Sequence, residues 1–206
     1  MKKTAGLLLL SLTTLILTLS CSKEEKIAPF VKEFVNAYTD SRGFISVISN
    51  DRGNRYVTSD TVRLEADSTY RLIMSYCVNE DTFSATIQDY ASVLSSPARK
   101  ADREDTCSDP VDIRSAWLGG GWLNLIIELK GLEKKHRLYA VENSDSTRVA
   151  FSLFHDADDD ISSYTAIAYM SIPLELYADV LSVNDTITLS STDYDGSVRT
   201  RTFTTK

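Results

Sequence analysis

The chain has 206 residues, a formal net charge of -7 at pH 7, 43% apolar residues and 25% charged ones. That is an ordinary globular composition, long enough for one large domain or two small ones. The acidic balance argues against a nucleic-acid partner, which needs clustered Lys and Arg. The short clusters Arg99-Lys100 and Lys134-Lys135-His136-Arg137 are flanked by acids and read as solvated turns.

Met1-Lys2-Lys3 and the apolar run 5–19 have the form of a secretory signal, with a hydrophobic region too short to span a bilayer comfortably. The run ends Thr18-Leu19-Ser20-Cys21, which resembles a bacterial lipobox, with Thr18 where Leu is usual. Residues 1–20 are therefore expected to be removed, and Cys21 to carry diacylglycerol as the mature N-terminus. Ser22-Lys23-Glu24-Glu25 resembles the signal that sends lipoproteins of one Gram-negative phylum to the outside of the outer membrane. Loss of Lys2 and Lys3 makes the body more acidic still, so the lipid rather than attraction to anionic head groups would hold it there. No other run is long enough to cross a membrane.

Residues 21–40 follow as a tether. Ile27, Phe30, Val31, Phe34 and Val35 stand at helical spacing, which predicts a short amphipathic helix or an ordered connection. Period-two runs then begin, at 43–48 and 55–58 around the turn Asn50-Asp51-Arg52-Gly53, and at 61–65 and 70–78. In the last of these Tyr70, Leu72, Met74, Tyr76 and Val78 share one face, and Ala85, Ile87, Ala91 and Val93 do so in the run 83–94. Five short strands over residues 41–98 suit a small barrel or a compact sandwich. The stretch SSPARKADREDTCSD at 95–109 has alternating charge and almost no apolar content, so residues 99–108 read as a linker.

The second domain, 109–206, opens with DPVDIRSAWLGGGWLNLIIELKG, in which Trp117 and Trp122 flank Gly119-Gly120-Gly121. Leu123, Leu125, Ile127 and Leu129 alternate with Trp122, Asn124, Ile126 and Glu128, a strand with one buried and one partly solvated face. The glycines would be the bend between paired strands. Further strands are expected at 136–143, 148–155, 164–172, 186–190 and 198–204, with a helical turn in 174–181. Turns every eight to twelve residues read as a β-sandwich.

After loss of the signal two thiols remain besides Cys21, namely Cys77 and Cys107. A disulfide between them would fasten the linker to the first domain and stabilise it by about 2–4 kcal/mol; two unpaired thiols fit the sequence equally well. Asp156, Asp158 and Asp160 give the D-x-D-x-D start of a calcium loop. The sixth and twelfth positions are Ile161 and Ile167 instead of Gly and Glu, so a solvated acidic loop is expected, with these three as weak metal candidates. His136 and His155 are the only histidines, and neither has a second His or a Cys at metal-ligand spacing. No nucleophile elbow or Cys/His pattern is present, and the glycine triplet lacks the setting of a phosphate loop. Tyr70, Tyr76 and Tyr90 lie in runs that an OB-like barrel could present to a ligand, with core packing the simpler account of each.

Asp109-Pro110-Val111, Trp117-Leu118-Gly119-Gly120-Gly121-Trp122-Leu123-Asn124 and Lys135-His136-Arg137-Leu138 resemble the motif series of the NigD-like lipoproteins. Trp122 stands where that family more often has Tyr. The resemblance implies an all-β chain, an N-terminal OB-like barrel followed by a C-terminal β-sandwich. The family has no established biochemical activity, and the gene neighbourhood of its namesake implies a bacteriocin-immunity role.

The expectation is thus a non-enzymatic outer-membrane lipoprotein facing the cell exterior, without catalytic residues or cofactor. It would act as a binding or envelope-assembly module toward a protein or glycan partner. The alternatives are a bacteriocin-immunity lipoprotein and, from another class, a carboxylate-dependent hydrolase.

Overall fold

A computed structural model describes residues 30–59, 62–101, 108–131, 133–145, 148–160 and 164–206. The signal sequence, Cys21 and Cys107 lie outside the described residues. The fold is all-β, in two parts.

The first part is a closed barrel of β1 (Phe30–Thr39), β2 (Ile45–Asn50), β3 (Arg55–Thr58), β4 (Thr69–Asn79) and β5 (Ser84–Ser92), in the order β1-β2-β3-β5-β4. β1 runs antiparallel to both β2 and β4, and β3 meets β5 in parallel to close the ring. The alternating residues of β4 line the interior as expected. Leu72, Met74, Tyr76 and Val78 pack on Val35, Ala37, Ile45 and Ile48. Tyr76 is fully buried among them, and its hydroxyl donates to Glu33.

Two expectations fail here. Residues 30–39 are neither helix nor tether but the barrel's first strand, so the domain reaches back to Phe30 and not only to residue 41. The apparent helical spacing arises because β1 is covered on both faces at Phe34-Val35. Val35 points into the barrel, while Phe34 packs outward with Ile73 and Val93 against Trp117, Ile126 and Tyr169 of the second domain. Of the expected strand 61–65, the described residues 62–65 do not form one. Residues 60 and 61 are outside the description, and from 62 on only Arg63 makes a bridge, to Phe44.

The second part is a sandwich. One sheet has the order β13-β12-β10-β9-β6 and the other β11-β8-β7. The strands are β6 (Arg99–Lys100), β7 (Asp112–Gly119), β8 (Trp122–Lys130), β9 (Arg137–Glu142), β10 (Val149–Asp156), β11 (Thr165–Pro173), β12 (Thr186–Thr192) and β13 (Val198–Thr204). Leu123, Leu125 and Ile127 of β8 face Phe151 and Leu153 of β10 and Ile187 and Leu189 of β12 across the core. At roughly 1.5–3 kcal/mol for each fully buried large aliphatic side chain, this layer is the main hydrophobic support of the domain. A single 3-10 turn, Glu175–Tyr177, stands where a helical turn was expected.

The supposed linker 99–108 is corrected at its start, and residues 102–107 of it lie outside the described residues. The chain leaves the barrel at Val93, and Leu94 at once joins the sandwich, its N–H donating to Tyr169 and its carbonyl accepting from Ser171. Ala98 packs on the sandwich core, and Arg99-Lys100 pairs with Val141 and Glu142 of β9. Arg99 and Lys100 thus ride on a sheet edge, with the Arg99 guanidinium 4.0 Å above the Tyr139 ring.

The domains meet through the outer face of β1 and β4 and the outer face of β7, β8 and β11. Phe34 contacts Trp117 and Tyr169 edge to face, at centroid distances of 5.2 and 5.9 Å. The row of β8 expected to be partly solvated is therefore covered at its middle, where Asn124 is wholly buried.

Candidate functional site

Two tight turns, one from each domain, interlock at this boundary. β7 and β8 are joined by Gly120 and Gly121 at φ +61° and +85°, after the last pair Gly119–Trp122. Two consecutive positive φ values define the hairpin turn that matches strand twist, which favours glycine. A second constraint acts at Gly119 and Gly120. A Cβ there would stand 2.9 and 2.7 Å from the Asp51 side chain, which lies across the hairpin. Asp51 comes from the β2–β3 turn, whose shape is set by Asn50 Oδ1 accepting the Arg52 and Asn54 N–H groups. The glycine triplet is thus the seat for a carboxylate of the other domain.

Asp51 is one member of a buried polar network centred on Arg71 of β4. The guanidinium donates to Asp51 Oδ1 at 2.5 Å, Asn124 Oδ1 at 2.8 Å, Asn36 Oδ1 at 3.2 Å and Ser171 Oγ at 3.2 Å. Asn124 Nδ2 and Trp117 Nε1 both donate to Asp51 Oδ2, at 3.0 and 3.2 Å, and Ser171 Oγ donates to Asn124 Oδ1 at 2.7 Å. The guanidinium also lies 5.4 Å from the Phe34 ring centroid and 5.3 Å from that of Trp122. Its side chain is 1% exposed and that of Asp51 15%. Burial pulls the Arg71 pKa down while the Asp51 hydrogen bond and charge oppose the shift. Such a charge is tolerable inside only because it is paired and hydrogen-bonded, with partners drawn from three strands and a turn.

Above this clamp a cleft of about 490 Å³ opens between the domains, within the roughly 300–1,000 Å³ range of small-ligand sites. Arg71 and Asn36 contribute to its lining, with Tyr38 from the barrel and Trp122, Pro173 and Glu175 from the sandwich. This lining offers aromatic surface, amide and hydroxyl groups, a neutralised guanidinium and one exposed carboxylate.

A second polar cluster joins the remaining motif residues. His155, at the end of β10, has Nδ1 3.2 Å from the Pro110 carbonyl and Nε2 3.0 Å from His136 Nδ1. His136 Nε2 lies 3.3 Å from Asp160 Oδ2, which also accepts the Glu133 and Lys134 N–H groups at 2.8 and 3.0 Å. The Pro110 carbonyl can only accept, so His155 carries its proton on Nδ1 and accepts from His136 through Nε2. His136 therefore donates through Nδ1 to His155 and turns its Nε2 toward Asp160. Asp109 completes the cluster by accepting the Ala157 N–H at 2.7 Å.

Burial, then the charge of His136, holds the His155 pKa below its ordinary 6.5. The unfolded chain therefore binds a proton more readily there, and stability contributed by neutral His155 is lost as pH falls below about 6.5. Urea midpoints measured from pH 7.5 down to 5.5 should decline through this window, and His155→Gln should flatten the decline. Asp40, Asp156 and Asp195, all held below 3.8 chiefly by hydrogen bonds, act in a separate and more acidic window.

The weak calcium candidates diverge. Asp156 pairs with Arg137 at 2.5 Å and Asp158 lies near Lys134, while Asp160 turns inward to His136. Among the described residues no three His, Cys, Asp or Glu side chains are grouped to hold a metal. Cys77 is half-buried on β4, and its candidate partner Cys107 is outside the described residues. Tyr76 is in the barrel core, and the Tyr70 hydroxyl accepts the Glu65 N–H at 2.9 Å, so Tyr70, Tyr76 and Tyr90 do not form one open face.

Arg71 was missed because its run gave it an ordinary outward position on a strand, and Asp51 because it was one residue of a turn. The histidine pair carried a readable signal: an antiparallel hairpin from 137 to 156 puts Leu138 opposite His155 and brings His136 alongside.

Barrel, sandwich and clamp together define a two-domain all-β protein whose domains share one buried polar junction. Residues 94–205 match the family model of the NigD-like C-terminal beta sandwich domain, and the chain belongs to the NigD-like family. It is 29% identical to a NigD-like immunity protein from Bacteroides caccae, over 83% of this chain and 91% of that one, with a TM-score of 0.68. A protein of unknown function from Bacteroides vulgatus, 14% identical, shares the fold over 86% of this chain and 92% of its own, with a TM-score of 0.70. So does a candidate lipoprotein from Bacteroides fragilis, 9% identical, over 86% and 99%, with a TM-score of 0.62. No curated protein matches the chain.

Proposed function

We propose that this protein is a lipid-anchored, non-enzymatic binding module of the outer membrane, facing the cell exterior, and that the interdomain cleft meets its partner. The observation that carries this reading is the clamp. A buried network with members from both domains holds them in one arrangement, with a lined cleft directly above it. Binding surfaces gain affinity when they are organised beforehand in this way. The lipobox at Cys21 and the Ser22-Lys23-Glu24-Glu25 stretch support the anchor and the outward orientation. The partner is a protein or a glycan, with no cofactor and no nucleic acid.

Cys21→Ser should move the protein from the membrane to the soluble fraction; a variant that stays in the outer membrane refutes the anchor. A photo-reactive residue in place of Glu175 should give adducts on intact cells, whereas one in place of Asp195, on the β12–β13 turn, should not. Adducts at 195 alone would take the working surface away from the cleft. The Bacteroides caccae relative, described as an immunity protein, favours a second reading in which the partner is a toxic protein. On that reading, cells lacking this chain become sensitive to the toxin.

A further inference from the structure

We infer that the interdomain cleft takes a neutral saccharide, its ring laid against Trp122 and its hydroxyls held by Asn36 and the groups beside it. This rests on the cleft being the binding surface, and adds the chemistry of what enters it. The lining combines flat apolar surface with short polar groups. Trp122 and Tyr38 are half-buried aromatic walls, Pro173 lies beside Trp122, and Thr69 and Ser95 bring hydroxyls. A pyranose ring has the same two characters, an apolar C–H face and an edge of hydroxyls that both donate and accept.

The clamp prepares the polar side of the cleft. Arg71 donates to Asn36 Oδ1 at 3.2 Å, which fixes the amide and leaves its NH₂ as the part of Asn36 available to a ligand oxygen. The guanidinium is already matched by Asp51 at 2.5 Å, so it brings no net charge that would attract an anion. Glu175 at the mouth is then the only charge in the lining without a charged partner in the cleft. It accepts hydroxyl hydrogens and repels carboxylated or phosphorylated sugars. The predicted order is neutral sugars first, uronates last.

The test uses the processed full-length protein in nanodiscs with both tryptophans replaced by 5-fluorotryptophan, read by fluorine NMR. Trp117, bonded to Asp51 beneath the cleft, serves as the internal control. Maltopentaose, mannopentaose and xylopentaose are the neutral probes, and tetragalacturonate is the anionic one. At least one neutral probe should shift the Trp122 signal saturably and leave Trp117 unmoved. Asn36→Ala should weaken that binding about tenfold, a loss of about 1.4 kcal/mol. Glu175→Gln should admit tetragalacturonate. The inference is overturned if no neutral probe moves Trp122 at millimolar concentration, or if tetragalacturonate binds the unaltered cleft as tightly as the neutral probes. If the sugars fail while the photo-reactive residue at 175 still captures a protein on cells, only the saccharide assignment falls. If both fail, the cleft itself is wrong.

Discussion

Replacing Arg71 by alanine is expected to lower the free energy of unfolding by about 3–5 kcal/mol, a large share of the total for a protein of this size. The loss comes less from the missing attraction than from what remains behind. Asp51 keeps its charge with only the amide of Asn124 and the indole of Trp117 to answer it, and the wholly buried Asn124 and Ser171 lose a donor. Arg71→Lys should recover part of the loss, since one ammonium keeps the charge but cannot reach acceptors on Asn36, Asp51, Asn124 and Ser171 together. Because the members act as a unit, Asp51→Ala added to Arg71→Ala should cost much less than the sum of the two. The checking measurement is urea unfolding followed at the sandwich tryptophans and at a barrel probe. The two transitions should coincide in the native chain and separate in Arg71→Ala.

The second large effect is expected at Gly131. This residue has φ +108°, and a Cβ added to it would lie 2.7 Å from Asp160 Cγ, 2.8 Å from Asp160 Oδ2 and 3.0 Å from His136 Nε2. Gly131→Ala therefore combines an unfavourable backbone conformation, about 1–2 kcal/mol, with displacement of a carboxylate that serves two backbone N–H groups and an imidazole. A destabilisation of about 3 kcal/mol is expected, together with loss of the shared proton between His136 and His155. Thermal unfolding checks the first effect. Imidazole ¹⁵N chemical shifts check the second, because the nitrogens of the two rings should then lose the signature of their mutual hydrogen bond.

Legibility in the sequence followed the number of covered faces. β8, with one face in the sandwich core, showed a clear alternation of Leu123, Leu125, Ile127 and Leu129. β13 and the barrel face of β4 were equally plain. β1 was not, because the barrel interior and the second domain bury adjacent residues Phe34 and Val35, and two-sided burial erases period two. Arg99-Lys100 was read as linker because an edge strand two residues long has no period at all. The parallel pairing of β10 with β12 joins residues nearly forty positions apart, which no local pattern reports.

The functional residues divide in the same way. The glycine hairpin and the Asp-Pro and Lys-His pairs stood out as a family motif, but their reasons lie elsewhere in the chain. Gly119 and Gly120 make room for Asp51, Gly131 makes room for Asp160, and Pro110 supplies a carbonyl to His155. Each is a contact between segments distant in sequence. A one-dimensional reading can register such a residue as unusual without finding what it touches. The cleft was hidden for the same reason, since neither domain contains it alone.

The central proposal is that the partner engages the cleft. Its most direct test is hydrogen–deuterium exchange on protein captured with its partner from native envelopes, compared with the purified protein. Slower exchange is predicted in the peptides carrying Tyr38, Gly121-Trp122 and Glu175, with little change around β5 and β13. Unaltered exchange at those cleft peptides, with protection confined to the barrel's far strands or the sandwich edge, would contradict it.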